Sequence, residues 1–318
     1  MILLLGTPGN ESIRHLSSEM AKIEQDYFIL DSQRLFKDYS FSYCPNRNDG
    51  FINNGFRTVA LSKFSSAFWG QINVPELPKE NASLPRNIEI TDFNERLYQQ
   101  ELNCSLQTLL NFSRIHWCNS WQAFQLHKTK PIQLEKAKAL GAVIPKTQIS
   151  NVLPHGSVRS ASSQSCITKP VHAGYMTHAF DVQHDPQTLI TESCTNVDLI
   201  KGFPFTLQEK ILGQNIRTYV IGEEVFSGLI ETKLLDFRLQ SAEEQIVHRI
   251  QLSEQEESLA QKIRISFDMQ WTAIDWIRRK NGELVFLEAN PAPMFIGFER
   301  LTSYPITKAL MKLLLSRH

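Results

Sequence analysis

Two carboxylates and an amide near the C-terminal end are the residues whose types and spacing best fit chemistry: Asp275, Glu288 and Asn290. The carboxylates lie in two apolar runs, Trp271 to Ile277 and Leu284 to Ala289, that flank Asn281-Gly282, a strong short-range signal for a hairpin, and Asn290 directly follows the second run. With those two residues as the loop, Lys280 faces Glu283 and Asp275 faces Glu288. Strand side chains alternate, so Asn290 shares the face of Glu288, while Ile274, Trp276, Leu287 and Ala289 form the core-facing side. Directly opposed carboxylates repel, and placed there without a basic neighbour on their face they call for a cation between them. Carboxylate and amide oxygens are hard ligands that suit Mg²⁺, which takes one or two carboxylates and completes its shell with substrate phosphates. A nucleotide–metal site is therefore expected. The competing reading is a surface hairpin on which two acids happen to be opposed.

The rest of the chain must position those groups. At 318 residues it is long enough for two or three packed subdomains. Lys plus Arg and Asp plus Glu number 33 each, which leaves no basic excess for nucleic-acid binding and no charged tail. Met1 to Gly6 is apolar but too short for a signal segment or a membrane span, so no membrane partner is expected. The five cysteines are scattered without CxxC spacing and no HExxH pattern occurs, which argues against a disulfide framework or a zinc site. A cytoplasmic protein is expected.

Ile2 to Gly6 reads as a buried strand, Thr7 to Asn10 as a turn, and Ile13, Leu16 and Met20 as a helical stripe before a second strand at Phe28 to Leu30. That order suggests a small α/β unit with a parallel sheet. Gly6 and Gly9 do not make a dinucleotide fingerprint. Thr58 to Leu61 and Ala67 to Trp69 are further strand candidates, and Gln71 to Arg86 an exposed connection. Between Asp92 and Leu110, Phe93, Leu97, Leu102, Leu106, Leu109 and Leu110 recur at helical spacing. Lys130 opens another helix, with Pro131 in its first turn and Gly141 as its stop.

Val152 to Ser165 reads as a loop. Cys166 to Pro170 is a strand ending at Lys169, either a solvated strand end or a cation that reaches phosphate beneath a loop containing Gly174. Phe205 to Ile211 is strand-like. Ile216 to Ile230 reads as a hairpin turning at Gly222-Glu223, with Arg217 and Tyr219 on one face and Ile216, Thr218 and Val220 on the other. Leu259, Ile263 and Phe267 mark a core-packing helix, and Tyr304 to Leu315 a last amphipathic helix.

In this order, the lysine that opens a helix, the strand-end lysine, Gln208-Glu209, Arg217, Asp275, Glu288 and Asn290 resemble the ATP-grasp superfamily. More narrowly, the chain resembles the microviridin-type (graspetide) ligases that cyclise ribosomal peptides, and the RimK-like ligases that add glutamate to ribosomal protein. The resemblance runs through Leu140-Gly-x-x-Ile-Pro145, Leu207-Gln-Glu-x-Ile211, Ile216-Arg217, Val220-Ile-Gly-Glu223 and Phe286-Leu-Glu-Ala-Asn-Pro291. It implies an α/β (α+β) architecture in three parts: an N-terminal α/β domain (1–125) and central (126–207) and C-terminal (208–318) ATP-grasp subdomains, with ATP held between the last two. It also implies the chemistry, in which a carboxylate takes the γ-phosphate of ATP and a hydroxyl or amine then displaces phosphate from the acyl phosphate.

On that resemblance Lys130 and Lys169 contact the phosphates, and Glu209, with Gln208 and Lys210, lies where the hinge strand meets adenine and ribose. Asp275, Glu288 and Asn290 hold Mg²⁺. Arg217 faces the γ-phosphate and acyl phosphate, and Arg238, in Asp236-x-Arg238, the acyl-phosphate or acceptor side. The partner implied is a peptide or amino acid, such as a ribosomal precursor with a leader segment, and the resemblance allows a homodimer. Departures bear on the substrate. Asn215 stands where the microviridin-type pattern has an acid, and Trp69 is followed by Gly70-Gln71 where arginines are usual. After Glu288-Ala-Asn290, Met294, Phe295 and Phe298 are expected to pack beside the acceptor pocket. Three functions stay open: a peptide ligase, a small-molecule amino-acid or dipeptide ligase, and a non-catalytic peptide-binding homologue.

Overall fold

The computed structural model describes residues 1–70, 92–151, 166–171, 204–232 and 245–316. The Gln71 to Arg86 connection, the Val152 to Ser165 loop, Gly174 and the Asp236-x-Arg238 element lie outside the described residues. The chain divides into two compact units: Met1–Trp121 with Ala292–Ile296 and Thr307–His318, and Gln122–Pro291 with Gly297–Ile306.

The first unit is built on a parallel sheet. Its strands are β1 (Ile2–Leu5), β2 (Tyr27–Leu30), β6 (Ser66–Trp69) and β7 (His116–Cys118), in the order β2-β1-β6-β7. All four residues of β1 are buried, as a parallel strand flanked on both sides requires, and an unbroken Ile-Leu-Leu-Leu run suits that place. Helix α1 (Glu11–Lys22) follows β1, and the Asn10 side chain caps it by accepting from Ile13 N at 3.2 Å. Ile13, Leu16 and Met20 are buried as their spacing predicts. Strands β3 (Ser40–Cys44), β4 (Asp49–Asn53) and β5 (Thr58–Ala60) form a separate antiparallel sheet. Helix α2 (Asp92–Leu110) buries Leu102, Leu106, Leu109 and Leu110, but Leu97 is 47% exposed and falls outside the expected stripe.

The second unit begins at Gln122 within α3 (Trp121–Lys128) and continues into α4 (Lys130–Ala139). Next come β8 (Thr147–Ser150), β9 (Cys166–Pro170) and β10 (Phe205–Glu209), an antiparallel sheet with β10 in the middle. A five-stranded antiparallel sheet follows, from β11 (Gln214–Ile221), β12 (Glu224–Glu231), β13 (Ile246–Ile250), β14 (Trp271–Arg278) and β15 (Leu284–Asn290), in the order β13-β12-β11-β14-β15. The β11–β12 loop is Gly222-Glu223, since Ile221 pairs with Glu224. Helix α5 (Glu254–Ser266) starts at a capping box in which Ser253 and Glu256 exchange side-chain and backbone bonds. It packs Ala260 and Ile263 with Phe267 on one face of the sheet, against Ile216, Val220, Ile274, Trp276, Phe286 and Ala289.

Two helices end the chain, α6 (Ile296–Thr302) and α7 (Ile306–Leu315). Most of α7 belongs to the first unit, where Ser66 Oγ donates to Leu314 O at 2.6 Å and His15 Nε2 lies 2.9 Å from Thr307 Oγ1. Phe295 and Phe298 are buried, whereas Met294 is 84% exposed.

Candidate nucleotide and metal site

Strand register assembles the site. Antiparallel pairing opposes Gly228 to Arg217, Arg217 to Asp275, and Asp275 to Glu288, so four residues from β12, β11, β14 and β15 lie in one row across the sheet. The Asp275–Glu288 opposition expected from sequence is therefore present, but by a different route. Arg279 N donates to Glu283 O and Gly282 N to Arg279 O, both at 2.9 Å, which makes the loop three residues long, Lys280-Asn281-Gly282. A two-residue Asn-Gly turn needs positive φ at both positions; here Gly282 has φ +87° and Asn281 is not among the residues with positive φ. The extra loop residue shifts every pair from Arg278↔Leu284 to Trp276↔Phe286 by one. A bulge between Trp276 and Asp275 shifts it back. Leu287 is the residue taken up there. Phe286, not Leu287, consequently joins Trp276 and Ile274 on the core face.

Contrary to the expectation of opposed acids with no basic neighbour, each carboxylate has one. The Arg217 guanidinium forks onto Asp275, with Nε donating to Oδ1 at 2.8 Å and Nη2 to Oδ2 at 3.0 Å. The Lys130 ammonium, from the first residue of α4, donates to Glu288. Both cations come from elements far away in the chain, so the hairpin sequence alone does not show them. Asp275 and Glu288 are only 5% and 7% exposed, which makes these pairings strong requirements of the folded state.

Tyr219, on the same face of β11 as Arg217, is fully buried. Burial pushes its phenol up to about 12, against the pull of Arg217, which hydrogen-bonds it. It therefore stays protonated beside the row. The Phe298 ring lies 4.8 Å from the Tyr219 ring. Gly228 makes room for it, because a Cβ there would sit 2.7 Å from Phe298 Cζ.

Asn290 ends β15 two residues beyond Glu288, opposite Ala273 and half-buried. Among the described residues there is no group of three or more His, Cys, Asp or Glu that would hold a metal. The donor set is thus two carboxylates and an amide oxygen. It still fits a hard divalent ion: a carboxylate offers about four lone-pair sites, and the hydrogen bonds from Arg217 and Lys130 leave others open.

The remaining expected residues gather elsewhere in the second unit, at β9 and the end of β10. Lys169 Nζ donates to Gln208 Oε1 at 2.9 Å, and Gln208 Nε2 to Thr147 Oγ1 at 2.8 Å. The Glu209 carboxylate accepts from Lys146 N at 3.1 Å and from Arg279 at 3.0 Å, and Arg279 also holds Glu283 in the β14–β15 loop. Lys210 follows, half-buried. Arg238 lies outside the described residues.

Sequence reasoning missed the residues that fix β15 from its outer side. The Gln133 side-chain amide both donates to Ala289 O (2.9 Å) and accepts from Ala289 N (3.1 Å). His127 Nδ1 lies 3.0 Å from the same carbonyl and so carries the proton that it donates. Val143 O accepts from Phe286 N at 2.8 Å. Only the placement of Gln133 one helical turn after Lys130 hinted at a shared face.

Residues 183–314 match the family profile of the RimK-like ATP-grasp domain. No curated protein matches the chain. Among solved structures, the macrocyclase MdnC of Microcystis aeruginosa bound with precursor peptide MdnA is similar over 99% of both chains (TM-score 0.81, 20% identity). A ribosomal-peptide-associated ATP-grasp ligase of Chryseobacterium gregarium, in complex with ADP and a leader and core peptide, is similar over 98% of this chain and 96% of its own (TM-score 0.81, 17% identity). The D-alanine–D-alanine ligase of Bacillus anthracis complexed with ATP is similar over 99% and 95% (TM-score 0.60, 10% identity). The chain has the ATP-grasp fold, and its residues 183–314 are similar to the RimK-like ATP-grasp domain.

Proposed function

We propose that this protein is an ATP-dependent ligase that joins a carboxylate of a peptide substrate to a hydroxyl or amine through an acyl phosphate. The observation that carries the reading is the row Arg217–Asp275–Glu288 with Lys130 on its end, built into an ATP-grasp fold. Phosphoryl transfer is mainly a matter of positioning and of neutralising charge. Asp275, Glu288 and Asn290 are the residues that would hold Mg²⁺, which would supply charge neutralisation to the nucleotide phosphates. Arg217 stabilises charge that develops on the transferred phosphoryl group, held in place by Asp275 and Tyr219. Lys130 and Lys169 are point charges for the phosphates, and the main chain beside Glu209 is where the base is read. Arg238 is assigned to the acyl-phosphate or acceptor side from its Asp-x-Arg element.

Two further boundaries belong to the same reading. The three-part division at 125 and 207 is kept as part of the proposal, with its second boundary falling inside β10 (Phe205–Glu209). Among the described residues no helix is long and apolar enough to cross a membrane. A cytoplasmic setting belongs to the same proposal, supported by the free thiols of Cys44, Cys104 and Cys118.

The peptide as substrate is supported by the peptide-bound neighbours. A small free amino acid is the second reading, favoured by Asn215 in place of an acid. ADP release from Mg²⁺-ATP separates them. Peptide-stimulated release that Glu288→Ala lowers by about 100-fold or more is the expected result, with loss of water or gain of an amino acid on the peptide by mass. Stimulation by amino acids alone selects the second reading. No ATP binding would overturn both.

A further inference from the structure

β15 is the edge strand of its sheet, so its outward-facing backbone groups have no neighbouring strand to satisfy them. At Ala289 both groups are taken by one side chain: the Gln133 amide donates to the carbonyl and accepts from the N–H, as a further strand would. Gln133 is 0% exposed, so water does not substitute for it. Ala289 lies between Glu288 and Asn290, and the plane of its peptide groups sets the direction in which both side chains leave the strand. Gln133 also stands three residues after Lys130 on α4, which places the two on one side of the helix. One side chain thus ties the lysine-bearing helix to the carboxylate-bearing strand at the point where Lys130 meets Glu288.

We infer that Gln133 is a positioning residue: it sets Glu288 and Asn290 for the metal, and Lys130 for the phosphates, through the Ala289 backbone. The inference rests on the proposed metal–nucleotide site and adds a residue to it. His127 assists as a second donor to the Ala289 carbonyl, but it cannot replace Gln133, since nothing in its bond serves the Ala289 N–H.

The test is Mn²⁺ binding in the presence of ADP, read from the loss of the free-Mn²⁺ paramagnetic signal, so that turnover is not needed. Gln133→Met keeps the volume and removes both hydrogen bonds; Gln133→Glu keeps only the acceptor. Ile263→Val, in the same unit's core, serves as the control for stability at a temperature where all variants remain folded by circular dichroism. Loss of a residue that orients metal ligands typically weakens metal affinity by about 10- to 100-fold. We expect Gln133→Met in that range, Gln133→Glu between it and wild type, and Ile263→Val unchanged. Wild-type affinity in Gln133→Met, or an equal loss in Ile263→Val, overturns the positioning role and leaves the site intact. Wild-type protein that binds no Mn²⁺ with ADP overturns the site itself, and the positioning role with it.

Discussion

The hairpin β11–β12 keeps one register from Asn215↔Ile230 to Ile221↔Glu224 and closes in two residues, Gly222-Glu223. The hairpin β14–β15 closes in three and absorbs the surplus at a bulge beside Asp275. The regular hairpin carries Arg217 and the irregular one carries both carboxylates. Bulges concentrate next to functional sites because they re-aim a side chain without breaking the strand. Here the bulge brings Glu288, instead of Leu287, into the row opposite Asp275, so the irregular hairpin is the one whose geometry is set by the site.

The comparison can be broken at the bond that joins the two hairpins. Arg217→Met leaves the Asp275 carboxylate buried without its fork, which should cost roughly 3–5 kcal/mol in urea unfolding, besides the loss of turnover. A variant as stable as wild type would mean that the row is not an electrostatic unit. A smaller effect is expected at the three-residue loop. Gly282 has φ +87° and open space within 4 Å of where a Cβ would sit, so Gly282→Ala meets backbone strain alone, about 1–2 kcal/mol by thermal unfolding. A cost near zero would show that residue 282 leaves the positive-φ region readily and that the three-residue loop does not depend on it.

The smallest effect is at the base of the same hairpin, where Arg278 forks onto Glu256 at 2.7 and 3.2 Å. Burial raises the Glu256 carboxyl, but the bonds from Arg278 and the Ser253 backbone outweigh it and hold the group below 4.5. A depressed carboxyl contributes stability that is present above its unfolded value and lost as pH falls through the folded one. Glu256→Gln should therefore unfold less steeply with pH below about 4.5, with at most ~1 kcal/mol lost at neutral pH. Parallel pH curves for the two proteins would count against the fork.

Much of this is legible from the residues. The unbroken apolar run of β1, the stripe of α1, the alternation of β11 and the Asp275–Glu288 opposition all follow from period and spacing. The last is reached through two offsets that cancel, since neither the three-residue loop nor the bulge has a side-chain signature in Lys280-Asn-Gly or Phe286-Leu287. Strands β3 and β13 are not legible, because neither contains a fully buried residue and so neither shows a core-facing run. Arg217 and Lys130 are expected from sequence as phosphate-facing cations, but their pairing with Asp275 and Glu288 depends on contacts across 58 and 158 residues of chain. Gln133 is invisible for a different reason: its partner is backbone, which no residue type announces.

The closed outer side of β15 has a consequence for how a substrate is recognised. Proteins that bind extended peptides often do so by lending a sheet edge to which the peptide adds as one more strand. With Val143, Gln133 and His127 already bonded to the outer groups of Phe286 and Ala289, that mode is closed at β15. On the proposed function, a peptide brought to Glu288 would be held by its side chains or by other backbone, so selectivity there would read residue identity more than extended shape.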